Sequence, residues 1–402
     1  MKILHVLWNL APRYGGPSKT GFEMARAAAE LGHTVSMYAT NWDGPSELDV
    51  PTDVPMFRDG VEIRYYPVQR PRFWGFSSSL AQALRSSIRE YDIVHIHSLY
   101  LFHGMVAAHY CRKHGIPYVV RPHGTLHPYI YRRHRLRKSV MELLFERRNI
   151  KRAAAIHFAT EEEKNLSEPY TYDLTPSFVV PNGLDLTDYE NLPDEGTFRA
   201  RYPETGEKKI ILFFSRVNFV KGLDILVRAF ARVARLRDDV HLVIAGPDNE
   251  GFGDKVRVWL KDEKVLHRAT FTGMLLGDNK LAVFRDAQMF VLPSYSESFS
   301  ISTVEAMACG LPVVVSDKVN VWREVEASGA GRVAPCDAGR FAEAILDVLD
   351  SLEEAKRMGE RGRALVKERF QWKSVALALE AAYQSILSEG ATSSQGVRGM
   401  HK

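Results

Sequence analysis

The sequence predicts an α/β chain made of two doubly wound domains, and three observations lead there. A strand–loop–helix–strand order opens the chain at Lys2 and recurs near Lys209. At 402 residues the chain exceeds what one hydrophobic core holds, so two domains are expected. The residues able to carry chemistry gather at the carboxyl ends of the predicted strands, where open α/β sheets bind ligands.

The first unit reads as strand "KILHVLW", loop "APRYGGPS", an apolar-periodic helix from Ser18 to Leu31 and strand "TVSMYAT". "DIVHIH" and "IPYVVRP" follow as buried strands, and "FVVPNGLDL" ends this half with an Asn-Gly turn. The polar stretch from there to about Lys208 reads as the crossing between domains. The second unit begins with strand "KIILFFS", loop "RVNFVKG", helix "LDILVRAFARVARL" and strand "VHLVIAG", then "ATFTG", "MFVLPS" and "VVVS". The expected boundaries are 1–190 for the first domain, 191–375 for the second and 376–390 for a helix packing back on the first. Residues 391–402 lack apolar content and are expected to be a disordered tail.

Bulk composition narrows the class. Hydrophobic residues at 45% with 25% charged are those of a water-soluble globular chain. Three cysteines at unrelated spacings form neither a disulfide framework nor a zinc signature, which points to a reducing cytosol. No run reaches the length of a membrane span, and "MKILHVLWNL" is too short for a signal peptide. The net charge of +4 is uneven: residues 1–185 carry 23 Lys/Arg against 18 Asp/Glu, and the remainder 30 against 31. Nine of those cations lie in Tyr131–Arg152, among Leu, Val, Met and Phe. Such a stretch suits an anionic membrane surface, although a solvated helix face is the commoner outcome. No zinc-finger or RNA-binding motif accompanies it, so nucleic acid is not expected as a partner.

"SYSESFSISTVEAMACGLPVVVS" concentrates the chemistry. Glu297 falls in the loop after a strand and Glu305 one turn into the next helix; Ser298, Phe299, Ser300 and Ile301 form the helix mouth, whose N–H groups favour an anion. Two acids there suit hydroxyl-rich groups. A capping box, Ser302-Thr303-Val304-Glu305, is the competing reading for Glu305. Arg216 and Lys221 flank the loop before the "LDIL" helix, two cations suited to a diphosphate. Gly15 and Gly16 leave room for a ligand against the backbone, or make a plain tight turn. Of the histidines, His95 and His97 share one face of a strand and suit hydrogen bonding more than a metal, whereas His123 ends a strand beside Gly124 and is placed to meet a substrate. No Asp-x-Asp or HExxH motif is present, so no metal and no cofactor is expected.

These motifs, in this order, resemble the retaining glycosyltransferases of family 4 over roughly residues 1–388. "SRVNFVKGLDIL", "VIAGPD", "FTG", "VVPNGLD", the Gly-Gly loop and Glu297-x7-Glu305 carry the resemblance. It implies a GT-B fold, two Rossmann-like domains facing across a cleft. It also implies a nucleotide-diphosphate sugar (UDP- or GDP-linked) as donor, with retention of anomeric configuration. On that resemblance Glu305 bonds the donor ribose, Glu297 meets donor-sugar hydroxyls, and backbone N–H groups at Phe299, Ser300 and Ile301 approach the diphosphate. Arg216 and Lys221 neutralise it, Gly15, Gly16, Gly246 and Met274 line the donor, and His123 lies near the transferred sugar. Ser300 departs from the glycine many members carry.

"RPHGTLHPY" is similar to members that build surface polysaccharides. The implied acceptor is a glycan or polyprenyl-linked molecule, met at the cytosolic face of a membrane by a cytoplasmic or peripheral enzyme. Tyr131–Arg152 and "RPRFWGF" at Arg70–Phe76 would touch that membrane. A sugar-nucleotide epimerase or phosphorylase on the same fold, or a non-catalytic sugar-nucleotide-binding protein, stands as the alternative.

Overall fold

The computed structural model describes residues 1–12, 16–131, 135–171 and 175–398. The chain divides into two units: 1–183 with 372–402, and 184–371. Each is an α/β body with its own sheet.

In the first unit the strands are β1 (Lys2–Asn9), β2 (Thr34–Thr40), a small hairpin of β3 (Trp42–Asp43) and β4 (Ser46–Glu47), β5 (Pro55–Arg58), β6 (Val61–Tyr66), β7 (Ile93–His97), β8 (Tyr118–Arg121), β9 (Ala155–Phe158) and β10 (Ser177–Val179). The main sheet runs β10-β9-β8-β7-β1-β2-β6-β5, parallel throughout except for β5 at the edge. The order reverses direction at β1/β7. Buried strands alternate between two cores: Leu4, Val6, Val94 and Ile96 face the helices Ser78–Ser87 and Phe102–His114. Ile3, Leu7, Ile93 and Val119 face the helices Gly16–Glu30 and Trp372–Arg398.

The second unit has β11 (Lys209–Phe214), β12 (Val240–Ala245), β13 (Ala269–Gly273), β14 (Ala287–Leu292), β15 (Val313–Ser316) and β16 (Gly331–Ala334). Their order is β13-β12-β11-β14-β15-β16, all parallel, the doubly wound order with its reversal at β11/β14.

Three boundaries differ from the sequence expectation. The first crossing falls at Gly183/Leu184 rather than 190/191, because Gly183 lies against the Trp372 ring while the Leu184 N–H bonds Phe370 O. The second falls at Gln371/Trp372 rather than 375/376 for the same reason. The polar stretch read as a crossing is part of the second unit. Asp286 there accepts from the backbone N–H groups of Gly196, Phe198 and Arg199, holding the short helix Thr197–Arg201. The disordered tail expected from 391 is helical as far as Arg398, since lengthening a packed helix needs no new nucleus; residues 399–402 lie outside the described residues.

Candidate active site

The carboxyl ends of β11 and β14 form the charged site. Gly222, with φ 68°, caps the helix Leu223–Leu236, and any Cβ there would run into the carbonyl of Pro293 after β14. Tyr295 N–H donates to Val220 O at 2.8 Å, so the two loops are tied together. This fixes Lys221, nearly buried, against the Glu297 carboxylate in an ion pair. Glu297 is in turn pinned by backbone hydrogen bonds to Lys318 and Asn320.

Ser300 starts the helix Ile301–Ala308 at φ 73°, a left-handed conformation that costs a side-chain-bearing residue about 1–2 kcal/mol. Glycine would be at ease there. Its hydroxyl is engaged with Thr303 Oγ1 at 2.7 Å, and no side chain caps the helix. Thr303 N–H turns back to Ser300 O, which leaves the N–H groups of Ile301 and Ser302 at the mouth for an anion. Phe299 contributes backbone alone, because its ring is buried edge-on against Phe370.

Glu305 does not form the capping box, since Ser300 and not Ser302 is the N-cap. Its carboxylate instead accepts from Tyr189 Oη at 2.9 Å and Lys280 Nζ at 3.1 Å, and Lys280 also donates to Tyr189 Oη. Burial, with the neighbouring Glu305 charge, pushes the Tyr189 hydroxyl far above its ordinary pKa, so it stays a donor. Sequence reasoning missed Lys280 and Tyr189, which lie 25 and 116 positions from Glu305 with no local motif. The two acids thus flank the helix mouth without leaving net negative charge, because each meets a lysine.

Arg216 is exposed in the same loop and makes no hydrogen bond or ion pair among the described residues. Gly246, at φ 142°, has no room for a Cβ beside the Ser215 carbonyl, which lets β12 end against the loop after β11. Met274 is exposed after β13, the outer strand, away from the β11/β14 reversal.

In the first unit His123 follows β8 with φ 51°, and its Nε2 lies 3.0 Å from His97 Nδ1. His97 Nε2 in turn lies 3.0 Å from His5 Nδ1. His5 Nε2 is buried without a partner, and an unpaired lone pair costs less there than an unpaired N–H. We therefore assign protons running outward: His5 Nδ1–H donates to His97, His97 Nδ1–H to His123, and His123 keeps its proton on Nδ1. A second chain is ordered by Val180 O, which accepts from His157 Nε2 at 2.7 Å. His95 Nε2 then donates to His157, and Tyr383 Oη donates to His95 Nδ1 at 2.5 Å.

Burial, and Arg121 buried alongside, hold His5, His97, His123 and His157 well below the ordinary imidazole pKa. Burial and the neighbouring imidazoles do the same to His95. Nitrogens of His5, His95 and His97 lie within 4.8 Å of one another, a spacing a metal could use. All but His5 Nε2 are already in hydrogen bonds, which favours the structural role expected from sequence. Gly16 begins its helix exposed, and a Cβ there would meet nothing within 4 Å. Gly15 lies outside the described residues.

Two parallel Rossmann-like sheets, with the phosphate-suited loop at the reversal of the second, define a GT-B glycosyltransferase fold. A sucrose-phosphate synthase from Thermosynechococcus elongatus shares it with a TM-score of 0.77 at 20% identity, covering 97% of this chain and 100% of that one. The Anabaena protein HepE in complex with UDP does so at 0.76 and 18%, covering 96% and 100%.

Residues 194–365 match the model of the glycosyl transferases group 1 and residues 14–188 that of Glycosyltransferase Family 4. The chain is a glycosyltransferase of this family-4-like type. An uncharacterized glycosyltransferase of Methanocaldococcus jannaschii is 27% identical over 395 residues, 94% of this chain and 96% of that one.

Proposed function

We propose that the chain transfers a sugar, with retention and without a metal, from a nucleotide diphosphate to a glycan or polyprenyl-linked acceptor in surface-polysaccharide synthesis. The observation that carries this is the Lys221–Glu297 pair held beside the uncapped mouth of Ile301–Ala308 at the β11/β14 reversal. When the anomeric C–O bond breaks, negative charge grows on the leaving diphosphate. Lys221 and the helix-mouth N–H groups, fixed beforehand, stabilise it without reorganisation, and the uncommitted Arg216 swings in to add its charge. Glu297 keeps Lys221 desolvated and aimed while meeting sugar hydroxyls, and Glu305 accepts from the ribose. His123, protonated on Nδ1, gives a hydrogen bond to a sugar hydroxyl and does not act as a base. The leaving phosphate takes the acceptor's proton.

Thermal unfolding with UDP, GDP and ADP, with and without EDTA, tests this. Ligand at 100 times its Kd adds about 2.7 kcal/mol, and each kcal/mol raises the midpoint by roughly 2–4 °C. UDP is the first to try, as HepE was solved with it. A shift for one base that EDTA leaves unchanged is expected; no shift with any nucleotide would remove the phosphate site.

The enzyme is further proposed to work at the cytosolic face of the inner membrane. Leu143 and Leu144, 84% and 72% exposed, protrude from the basic segment, and Phe73 of the "RPRFWGF" loop carries the Arg137 guanidinium 4.3 Å over its ring. The segment's Arg132, Arg133 and His134 lie outside the described residues. Binding to anionic vesicles that fades with salt is the expected result; no co-sedimentation at low salt would end this part.

A further inference from the structure

Glu305, Lys280 and Tyr189 meet within the second unit from three separate elements: the helix Ile301–Ala308, the first turn of the helix Gly277–Asp286 and the short helix Thr187–Glu190. They share their hydrogen bonds unevenly. Tyr189 Oη and Lys280 Nζ both donate to the same carboxylate oxygen, Glu305 Oε1, at 2.9 and 3.1 Å. With both lone pairs engaged, that oxygen is full. Oε2 accepts nothing among the described residues, yet it is not sealed from solvent. Lys280 spends one N–H on Glu305 Oε1 and a second on Tyr189 Oη at 3.1 Å, and its ammonium stands 5.2 Å from the centre of the Tyr189 ring. An ammonium has a third N–H, and here it is unspent.

Stability alone does not account for this arrangement. A carboxylate gains most when donors reach both of its oxygens, and here they crowd one. A lysine in the first turn of a helix also faces the positive end of the helix dipole, the wrong end for a cation. The Glu305 and Lys280 side chains are only 8% and 18% exposed, so both charges have largely left water. What stays open is one acceptor and one donor, side by side on a fixed base, one turn into the helix whose mouth suits a diphosphate. An anion would be repelled by Oε2, and an apolar group would leave both unpaired. Two neighbouring hydroxyls, one donating and one accepting, satisfy both.

We infer that Lys280 is a further donor-binding residue and that it reads the ribose diol jointly with Glu305: one hydroxyl donates to Glu305 Oε2 and the other accepts from Lys280 Nζ. Tyr189 is a positioning residue, which fills Oε1 and so leaves Oε2 to the ligand. The inference rests on the nucleotide reading proposed above and adds to it a selection of ribose over deoxyribose that depends on a lysine.

The test uses the full chain with UDP, GDP and ADP, each beside its 2′-deoxy and 3′-deoxy forms, read by thermal shift and calorimetry. For the base that binds, the ribose form is expected to bind roughly tenfold or more tightly than either deoxy form, because a missing hydroxyl leaves a site group unpaired. K280M is expected to erase that preference for at least one of the two hydroxyls, and to do so in the E305Q background as well; K280R is expected to keep part of it. Y189F is expected to weaken the preference in the wild-type background and to change nothing once E305Q is present. Unchanged thermal midpoints without ligand would show that the variants fold.

Equal affinity for ribose and deoxy forms, or a K280M protein with the wild-type preference, would overturn the inference and leave the nucleotide site standing. A K280M loss that disappears with E305Q would overturn Lys280 as a ligand contact, and a Y189F loss that persists with E305Q would reduce Tyr189 to packing. No shift with any nucleotide would remove the donor reading itself, and this inference with it.

Discussion

The two sheets reverse strand order in the same way, at β1/β7 and at β11/β14, yet the crevices they open have opposite chemistry. At β11/β14 the loops are clasped through Gly222 and Tyr295, and the groups they present are charged and paired: Lys221 with Glu297, Lys280 with Glu305. At β1/β7 the loops stand around an apolar cavity with one imidazole, His97, in its lining, which burial keeps neutral. Topology supplies a place to bind, and the residues of a few loop positions decide what is bound.

Acid should separate the two most strongly. Six buried imidazoles of the first unit (His5, His95, His97, His103, His123 and His157) have lowered folded pKa values, His5 to about 3 and His103 to about 4. The unfolded chain therefore takes up these protons first. Stability is full above the ordinary imidazole pKa of about 6.5 and falls as pH drops below it, by up to roughly 1.4 kcal/mol per pH unit for each group. Burial raises Glu146, to about 7, and Glu163, so these two favour the folded state on acidification; six outweigh two. In the second unit the only histidine with a lowered pKa among the described residues is His241. Hydrogen exchange at pH 7 and 5.5 should show protection lost in β7 and β8 well before β11 and β12; equal loss would erase the distinction.

Next in size is Lys221→Ala, expected to cost about 10²–10³ in kcat, the value of one preorganised donor. Transfer at near wild-type rate would move the phosphate role to Arg216 alone. Smaller again is a matched pair of glycines. Gly222→Ala should cost about 3 kcal/mol, through a backbone clash at positive φ. Gly16→Ala should stay within about 0.5 kcal/mol. Urea midpoints decide, and a destabilised Gly16→Ala would mean that the first loop is packed as tightly as the second.

How legible all this was depended on distance along the chain. Strands, helix starts and the loop cations are written within a dozen residues, and the structure places Arg216, Lys221, Gly246, Glu297 and Ser300 at strand ends as that local pattern indicates. Glu305 could not be assigned locally, because a capping box and a ribose acid share one spelling; its real partners come from Tyr189 and Lys280. The histidine chains were equally hidden. Their members are 26, 62, 92 and 288 positions apart; strand pairing brings the histidines together, and packing of the helix Trp372–Arg398 adds Tyr383. The crossings were misplaced by several residues because polarity marks exposure, whereas the boundary is set by the contact of Gly183 with Trp372.

That contact belongs to a larger fact about chain order. Trp372, Val375, Leu379 and Tyr383 fill the core of the first unit, although the whole of the second unit is encoded before them. During synthesis the second unit can finish folding while the first still lacks its last helix. The histidine row, which Tyr383 of that helix meets at His95, stays open to water and to chaperones until the helix emerges. A nascent chain arrested near Gln371 would therefore carry one mature unit, its later one, and one still waiting for its lid.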